Sequence, residues 1–125
     1  MITTENTTTE NNQIIAKFMG MVYDNHDNQP NKYWELTDDQ NFVSQEAYLQ
    51  DKDLKFHSDW NWLMEVVEKI ESLGFKFQIT SQYAAVLKNH SLISQSLICT
   101  VDGIYKIQAT HETVAAFIKW YKILN

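Results

Sequence analysis

The stretch that decides the fold is SDWNWLMEVVEKIESLGFKFQIT, residues 58–80. Apolar residues recur at every third or fourth position along its first half, which predicts an amphipathic helix over 60–73. Either Ser58 or Asp59 can cap the start of this helix, because both side chains accept hydrogen bonds from free backbone N–H groups. Gly74 suits the position just after its end.

After this helix the apolar period changes to two, which is typical of a half-buried strand. Phenylalanine and isoleucine alternate with polar residues over 75–79. A second strand is predicted over 83–87 and a third over 97–101, with the Asn-His-Ser sequence at 89–91 as a break between them. The middle of the chain therefore predicts a small antiparallel sheet.

The last segment fits two interpretations at its start. Asp102-Gly103 between apolar residues is a good hairpin signal, yet Asp102 also suits the N-cap of a helix. An apolar stripe at helical spacing favours one long helix from about Gly103 to Ile123. A second apolar stripe lies beside the first, so this helix must be covered on more than one side. Either it lies between the sheet and another helix, or it forms part of an oligomer interface.

The N-terminal half of the chain gives weaker signals. Residues 1–12 are rich in Thr, Asn and Glu without an apolar period, which predicts a flexible tail. Asn11 or Asn12 can cap a short helix over 13–19, which Gly20 would end. Residues 24–32 contain the only proline and predict a loop.

A short strand is predicted over 33–36, and residues 37–57 are predicted to be irregular, with one helical turn around 44–49. Taken together, the pattern predicts an α+β fold for a single domain over 13–125. A small antiparallel sheet of about three strands would pack with two main helices and a short N-terminal helix, and residues 1–12 would form a flexible tail.

Three blocks of the sequence carry a family resemblance: IIAKFMG (Ile14–Gly20), WNWLMEVVEKIE (Trp60–Glu71) and KIQATHETVAAFIKWY (Lys106–Tyr121). In order and rough spacing they resemble small uncharacterised proteins of phages and prophages of the Bacteroidetes. A more distant similarity is to the phage ABA sandwich domain family. The resemblance implies a phage or prophage origin and a layered α/β fold, implies no catalytic residues, and supports a helix that starts near Lys106. Residues 1–12 and 24–57 depart most from the pattern.

The charge is negative and unevenly distributed. The chain has 125 residues and a net charge of −6. Residues 1–60 carry eleven acidic residues and four lysines, and arginine is absent throughout. Nucleic-acid binding usually needs a basic face and arginine, so no direct nucleic-acid contact is expected. An acidic half instead favours a basic partner protein, because opposite potentials steer the encounter.

No apolar run reaches the roughly 18 residues that a membrane span needs, and no secretory signal is visible. The sequence therefore predicts no membrane contact and a location in the cytoplasm of a bacterial host cell. The single cysteine excludes an intramolecular disulfide framework and a cysteine-based zinc cluster.

Cys99, on a predicted strand, is the one candidate thiol nucleophile. It would need a histidine base, and His57, His90 and His111 are available in principle, but no local signature links them to it. A buried, inert cysteine is the favoured interpretation.

Two groups of metal-ligand residue types lie in predicted loops, without the spacing of a known metal motif. They are Asp24, His26 and Asp27, and Asp51, Asp53 and His57. Carboxylates at Glu35, Asp38 and Asp39 lack the separation across a cleft that acid/base catalysis needs. No catalytic, cofactor-binding or metal-binding residue is therefore predicted, and the protein is expected to have no cofactor and no enzymatic activity.

Trp60 and Trp62 lie two residues apart on a helix and point in different directions, so one is expected in the core while the other stays accessible. An accessible tryptophan is a favoured interface anchor. The predicted partner-binding residues are Asp38, Asp39, Asp51, Asp53, Asp59, Trp60 and Trp34.

The sequence thus favours a phage or prophage accessory protein that binds a basic host or phage protein. One form of this hypothesis is an anti-CRISPR type of inhibitor, whose target would be a CRISPR effector or another nucleoprotein that handles nucleic acid. The alternatives are a scaffolding module that self-associates as a homo-oligomer, and a small hydrolase.

Overall fold

The computed structural model describes residues 4–24, 33–35, 48–49, 53–97 and 105–124. In chain order, the elements in these residues are α1 (Thr4–Phe18), β1 (Val22–Asp24), β2 (Tyr33–Glu35), β3 (Tyr48–Leu49), α2 (Trp60–Ser72), β4 (Lys76–Ile79), β5 (Tyr83–Lys88), β6 (Ser91–Leu97) and α3 (Lys106–Leu124). Helices pack against an antiparallel three-stranded sheet, so the predicted α+β class is confirmed.

Helix α2 begins and ends where its caps predict. The backbone N–H of Asn61 donates to the Asp59 carboxylate at 2.8 Å, which satisfies one of the free donors of the first turn. The helix ends at Ser72, and Gly74 has a φ of +98°. Glycine adopts this left-handed conformation without a steric penalty, whereas other residues resist it.

Strands β4, β5 and β6 form the sheet in that order, with antiparallel pairing throughout. Asn89 and His90 join β5 to β6 with φ values of 52° and 70°. Two successive positive φ values are typical of the tight turns that match the twist of a hairpin. The third strand of the sheet, β6, therefore lies earlier than the predicted strand over 97–101, of which residues 98–101 lie outside the described residues. Because β6 contains three serines and a glutamine, it lacks the composition typical of a strand. Its pairing with β5 supplies the backbone hydrogen bonds that form it.

Helix α3 lies between the sheet and α1. It packs on β5 and β6 on one side and on α1 on the other, as the first of the two predicted alternatives has it. The Thr113 hydroxyl donates to the Ala84 carbonyl at 3.1 Å, and the Ser94 hydroxyl donates to the Thr113 carbonyl at 3.2 Å. The helix begins at Lys106, three residues later than predicted, and Asp102 and Gly103 lie outside the described residues.

Helix α1 is the largest difference from the prediction. A flexible tail over 1–12 and a short helix over 13–19 were expected, but one helix runs from Thr4 to Phe18. Asn11 and Asn12, predicted as caps, are buried inside this helix. Contacts with α3 stabilise a segment whose own composition does not favour a helix.

A second antiparallel sheet joins β1, β2 and β3 in that order. The predicted strand over 33–36 is confirmed over Tyr33–Glu35, which form β2, and Leu36 lies outside the described residues. Tyr48 and Leu49 were expected near a helical turn, but they are extended because they pair with β2. The rest of the segment predicted to be irregular up to residue 52 lies outside the described residues.

The core forms where α1, α2 and α3 meet the larger sheet. One part of it is an aromatic cluster of Phe18, Phe75, Phe117 and Tyr121, in which the ring centroids of Phe75 and Phe117 lie 4.8 Å apart. Lys69 places its ammonium 4.5 Å from the centre of the Phe18 ring and donates to the Phe18 carbonyl. None of the described helices has the length and apolarity needed to cross a membrane.

Candidate functional site

The side-chain amide of Asn12 joins three parts of the molecule. Its Nδ2 lies 2.8 Å from Nδ1 of His57 and 3.3 Å from the Leu54 carbonyl oxygen, both in the turn before α2. Its Oδ1 lies 2.8 Å from Nε2 of His111 on α3. His57 and His111, which follow Asn12 by 45 and 99 positions in the chain, therefore meet at its buried amide.

These contacts determine which ring nitrogens carry protons. A carbonyl oxygen only accepts, so the group that faces Leu54 must be the NH₂ of Asn12. The same NH₂ donates to His57, whose Nδ1 is then the acceptor, and the Asn12 oxygen accepts from the Nε2–H of His111. His57 is thus neutral, with its proton on Nε2, and His111 carries a proton on the Nε2 that faces Asn12.

Burial acts in the same direction. Desolvation and, to a smaller extent, charge repulsion from the neighbouring His57 together lower the pKa of His111 to about 4. Desolvation also lowers the pKa of His57. Protonation of His57 at Nδ1 would place a hydrogen against the Asn12 NH₂, so the network holds only while the His57 ring is neutral.

A cavity of about 310 Å³ opens beside this network, between α1 and α3. Helix α1 lines it with Thr7, Thr8 and Asn11, and the two threonines lie near Asn11 on the helix surface because they precede it by four and three residues. His57 lines it from the turn before α2.

Helix α3 and the residue before it form the opposite wall. Tyr105 is 66% exposed, and Ile107, Gln108, His111 and Glu112 follow at helical spacing. Glu112 is half-buried and is the one carboxylate among the described lining residues, which include no lysine. The cavity therefore combines an apolar residue, an accessible ring, neutral polar groups and one negative charge.

Only part of the predicted partner-binding surface lies in the described residues. Trp60 is 38% exposed and Trp62 only 4%, so the expectation that one of the two stays accessible is confirmed. Asp59 caps α2, and Asp53 is half-buried just before the turn that carries His57. Trp34 lies in β2. Asp38, Asp39 and Asp51 lie outside the described residues.

The histidines considered as partners of Cys99 separate into two groups. His57 and His111 lie together, with 6.1 Å between ring centroids, whereas His90 is exposed in the turn between β5 and β6. Cys99 lies outside the described residues.

Asp24 ends β1 and Glu35 ends β2, and His26 and Asp27 lie outside the described part of the chain. Among the described residues, no group of three His, Cys, Asp or Glu side chains is placed to hold a metal ion.

Sequence reasoning missed the role of Asn11 and Asn12. An Asn pair before an apolar run is a standard signal for a helix N-cap, so both residues were interpreted as caps at the surface and not as buried amides. Their partners are far away along the chain, so only the assembled fold brings the network together. Comparison with models of protein families, with curated proteins and with solved structures finds no match to this chain.

Proposed function

We propose that this protein is a non-enzymatic accessory protein of a phage or prophage that binds a basic protein. The target is a host or phage protein, and an inhibitor of a nucleic-acid-handling defence complex, of the anti-CRISPR type, is the specific form that we propose to test first.

The observation that carries this proposal is the exposure of Trp60. Trp60 and Trp62 begin the same helix, yet 38% of Trp60 stays accessible while Trp62 is buried against Phe56, with 5.1 Å between ring centroids. Tryptophan is enriched among the residues that contribute most to protein interfaces, because it buries a large area at a small cost in entropy.

Two acidic residues precede this tryptophan in the chain. Asp59 lies directly before it and Asp53 seven residues before it, with Lys55 between them, and residues 1–60 as a whole carry the acidic surplus of the chain. Acidic groups around an aromatic anchor favour a positively charged partner surface and accelerate association with it. The lack of arginine argues against phosphate groups as the direct target.

Self-association through α3 receives no specific support from the packing. The broad apolar arc of α3 that suggested it is covered within the chain by the sheet and by α1. Self-association therefore stays a prediction, and light scattering at high protein concentration tests it.

The test is a comparison of tagged baits in a bacterial lysate, followed by measurements on purified components. Wild type, Trp60→Ala and Asp59→Asn are used in parallel, and asparagine is chosen because it preserves the cap of α2. A basic protein enriched by wild type is then purified and its Kd measured by calorimetry at increasing salt. We expect Trp60→Ala to raise the Kd about tenfold or more, and the affinity to fall as salt rises.

Leu73→Ala is the matched control, because Leu73 has the same 38% exposure at the opposite end of α2. It should leave the Kd unchanged. Recovery of a nucleoprotein defence complex would support the inhibitor form. Equal recovery by wild type and Trp60→Ala, or a Kd that does not vary with salt, would contradict the proposal.

A further inference from the structure

The cavity between α1 and α3 contains a buried amide that has no hydrogen-bond partner among the described residues. Asn11 is only 6% exposed and lines this cavity, yet its side chain makes no hydrogen bond within the described residues. Its neighbour Asn12, equally buried, makes three contacts. A buried polar group without a partner is costly, and such groups are uncommon in folded proteins unless a ligand or water satisfies them.

A second polar group in the cavity wall, the His111 ring, also has a hydrogen-bond acceptor that no described residue uses. The Nε2–H of His111 donates to Asn12, and burial, which lowers the pKa of this ring to about 4, keeps it neutral at pH 7, so Nδ1 carries a lone pair and can only accept. It has no hydrogen-bond partner in the described part of the chain. Asn11 Oδ1, His111 Nδ1 and the Glu112 carboxylate thus form a set of acceptors in one cavity, and only the carboxylate is charged.

The set is suited to a cation. Neither histidine brings positive charge to the cavity at pH 7, since Asn12 donates to an unprotonated His57 Nδ1 and burial lowers the pKa of His111 to about 4. Lys106, which starts α3, is exposed and is absent from the lining residues. Tyr105 adds an accessible ring, and aromatic faces attract ammonium and guanidinium groups. An anion would meet Glu112 without a compensating lysine or arginine from the described wall.

We propose that this cavity receives a positively charged side chain, a lysine ammonium or an arginine guanidinium, from the basic protein that binds this chain. A volume of about 310 Å³ is at the lower end of ligand pockets and suits one inserted side chain. His57, which lines the cavity, lies only three residues before the exposed Trp60, so one partner surface can contact both. This inference rests on the proposed function, whose partner it characterises further.

The first experiment uses small probes on the full chain. Amide chemical shifts are followed by NMR during titration with n-butylammonium chloride, which imitates a lysine side chain. n-Butanol serves as the neutral probe of the same size, and sodium chloride controls for ionic strength. We expect saturable shifts at Thr8, Asn11 and Glu112 with butylammonium, in the millimolar range that so small a ligand allows, and none with butanol.

Two variants assign the binding to the acceptors. Glu112→Gln preserves shape and removes the charge, and should weaken butylammonium binding about tenfold. Glu71→Gln makes the same change at an exposed site on α2 and should have no effect. Asn11→Leu should also remove binding, and a denaturation curve no less cooperative than that of wild type shows that it still folds.

The outcomes separate this inference from the function on which it rests. Equal shifts with butanol and butylammonium, or unchanged binding in Glu112→Gln, would overturn the cation site even if a basic partner is recovered. Butylammonium binding without any recovered basic partner would overturn the protein source of the cation and the proposed function together. A partner complex weakened by Glu112→Gln and by Trp60→Ala, but not by Glu71→Gln, would support both.

Discussion

The contact between α1 and α3 has an aromatic end and a polar end. At the aromatic end Phe18 packs against Phe117, with 6.4 Å between ring centroids, and at the polar end Asn12 hydrogen-bonds His111 at 2.8 Å. In each pair the two partners are 99 residues apart in the chain. The two helices therefore run in the same direction, and the offset between facing residues stays the same along the contact. Yet rings pack at one end of this contact, while a cavity of about 310 Å³ remains at the other.

The difference shows how one helix pair can combine stability with a binding site. Aromatic packing is insensitive to pH and needs only complementary shape, so it fixes how α1 lies on α3. The polar end depends on one amide whose orientation sets two histidine tautomers. It adds little apolar burial, but it leaves directional polar groups around a space that a ligand can enter.

The largest effect is expected at the aromatic end. Phe117 is fully buried and contacts the rings of Phe18, Phe75, Trp120 and Tyr121. Phe117→Ala removes these contacts and leaves a cavity, so it should lower the free energy of unfolding by about 3–5 kcal/mol. Urea denaturation at pH 7 measures the change.

Ile123→Ala is the control on the same helix, because Ile123 is 85% exposed. Its effect should stay within about 0.5 kcal/mol. A loss below about 1 kcal/mol in Phe117→Ala would show that the aromatic end does not hold the helix pair.

The polar end should make stability depend on pH. His111 has its pKa lowered to about 4 by burial, whereas in the unfolded chain it titrates at its ordinary value of 6.5. Between these values the unfolded state binds more protons, so stability falls as the solution becomes more acidic. The contribution of His111 is complete above pH 6.5 and is lost as pH falls through 4, and it amounts to about 3 kcal/mol. His57 acts in the same direction, because its pKa is also lowered.

Urea denaturation between pH 7 and pH 4 tests this prediction in two variants. His111→Gln removes the titrating ring and should flatten the profile relative to wild type. Phe117→Leu should lower the whole curve without changing its slope, because it neither adds nor removes a titratable group. Parallel profiles for wild type and His111→Gln would exclude the polar end as the source of the pH dependence.

The sequence predicted the elements that supply and surround the aromatic end far better than it predicted the polar end. Helix α2 and the strand after it were predicted from local signals, namely the Asp59 cap, Gly74 and the change of apolar period. The packing of α3 on two sides was predicted as one of two alternatives from its two apolar stripes. The polar end has no such signal, because Asn11 and Asn12 have the residue type of a cap and the neighbours of a tail. Strand β6 was misplaced for a related reason, since its polar residues join the sheet only through pairing with β5.

Asn12→Leu tests the amide that joins the three elements. Leucine has nearly the same size but leaves His111 Nε2–H, His57 Nδ1 and the Leu54 carbonyl without their partner. A buried donor without a partner costs about 1–3 kcal/mol, so we expect a loss of about 2 kcal/mol in the free energy of unfolding. Proton NMR of the imidazole rings should also show that the two tautomers are no longer fixed. A variant as stable as wild type would mean that water replaces the amide and that the network is not structural.

Asn11→Leu should have the smallest effect, although it makes the same chemical change one residue away. The Asn11 amide has no partner to lose among the described residues, and leucine places apolar atoms in a buried site. Stability should therefore change by less than about 0.5 kcal/mol or rise by up to about 1 kcal/mol. The contrast with Asn12→Leu is informative because both asparagines are buried on the same helix. A loss above about 1.5 kcal/mol in Asn11→Leu would show that this amide is already paired within the protein, and the cavity would then lack one of the acceptors assigned to the cation.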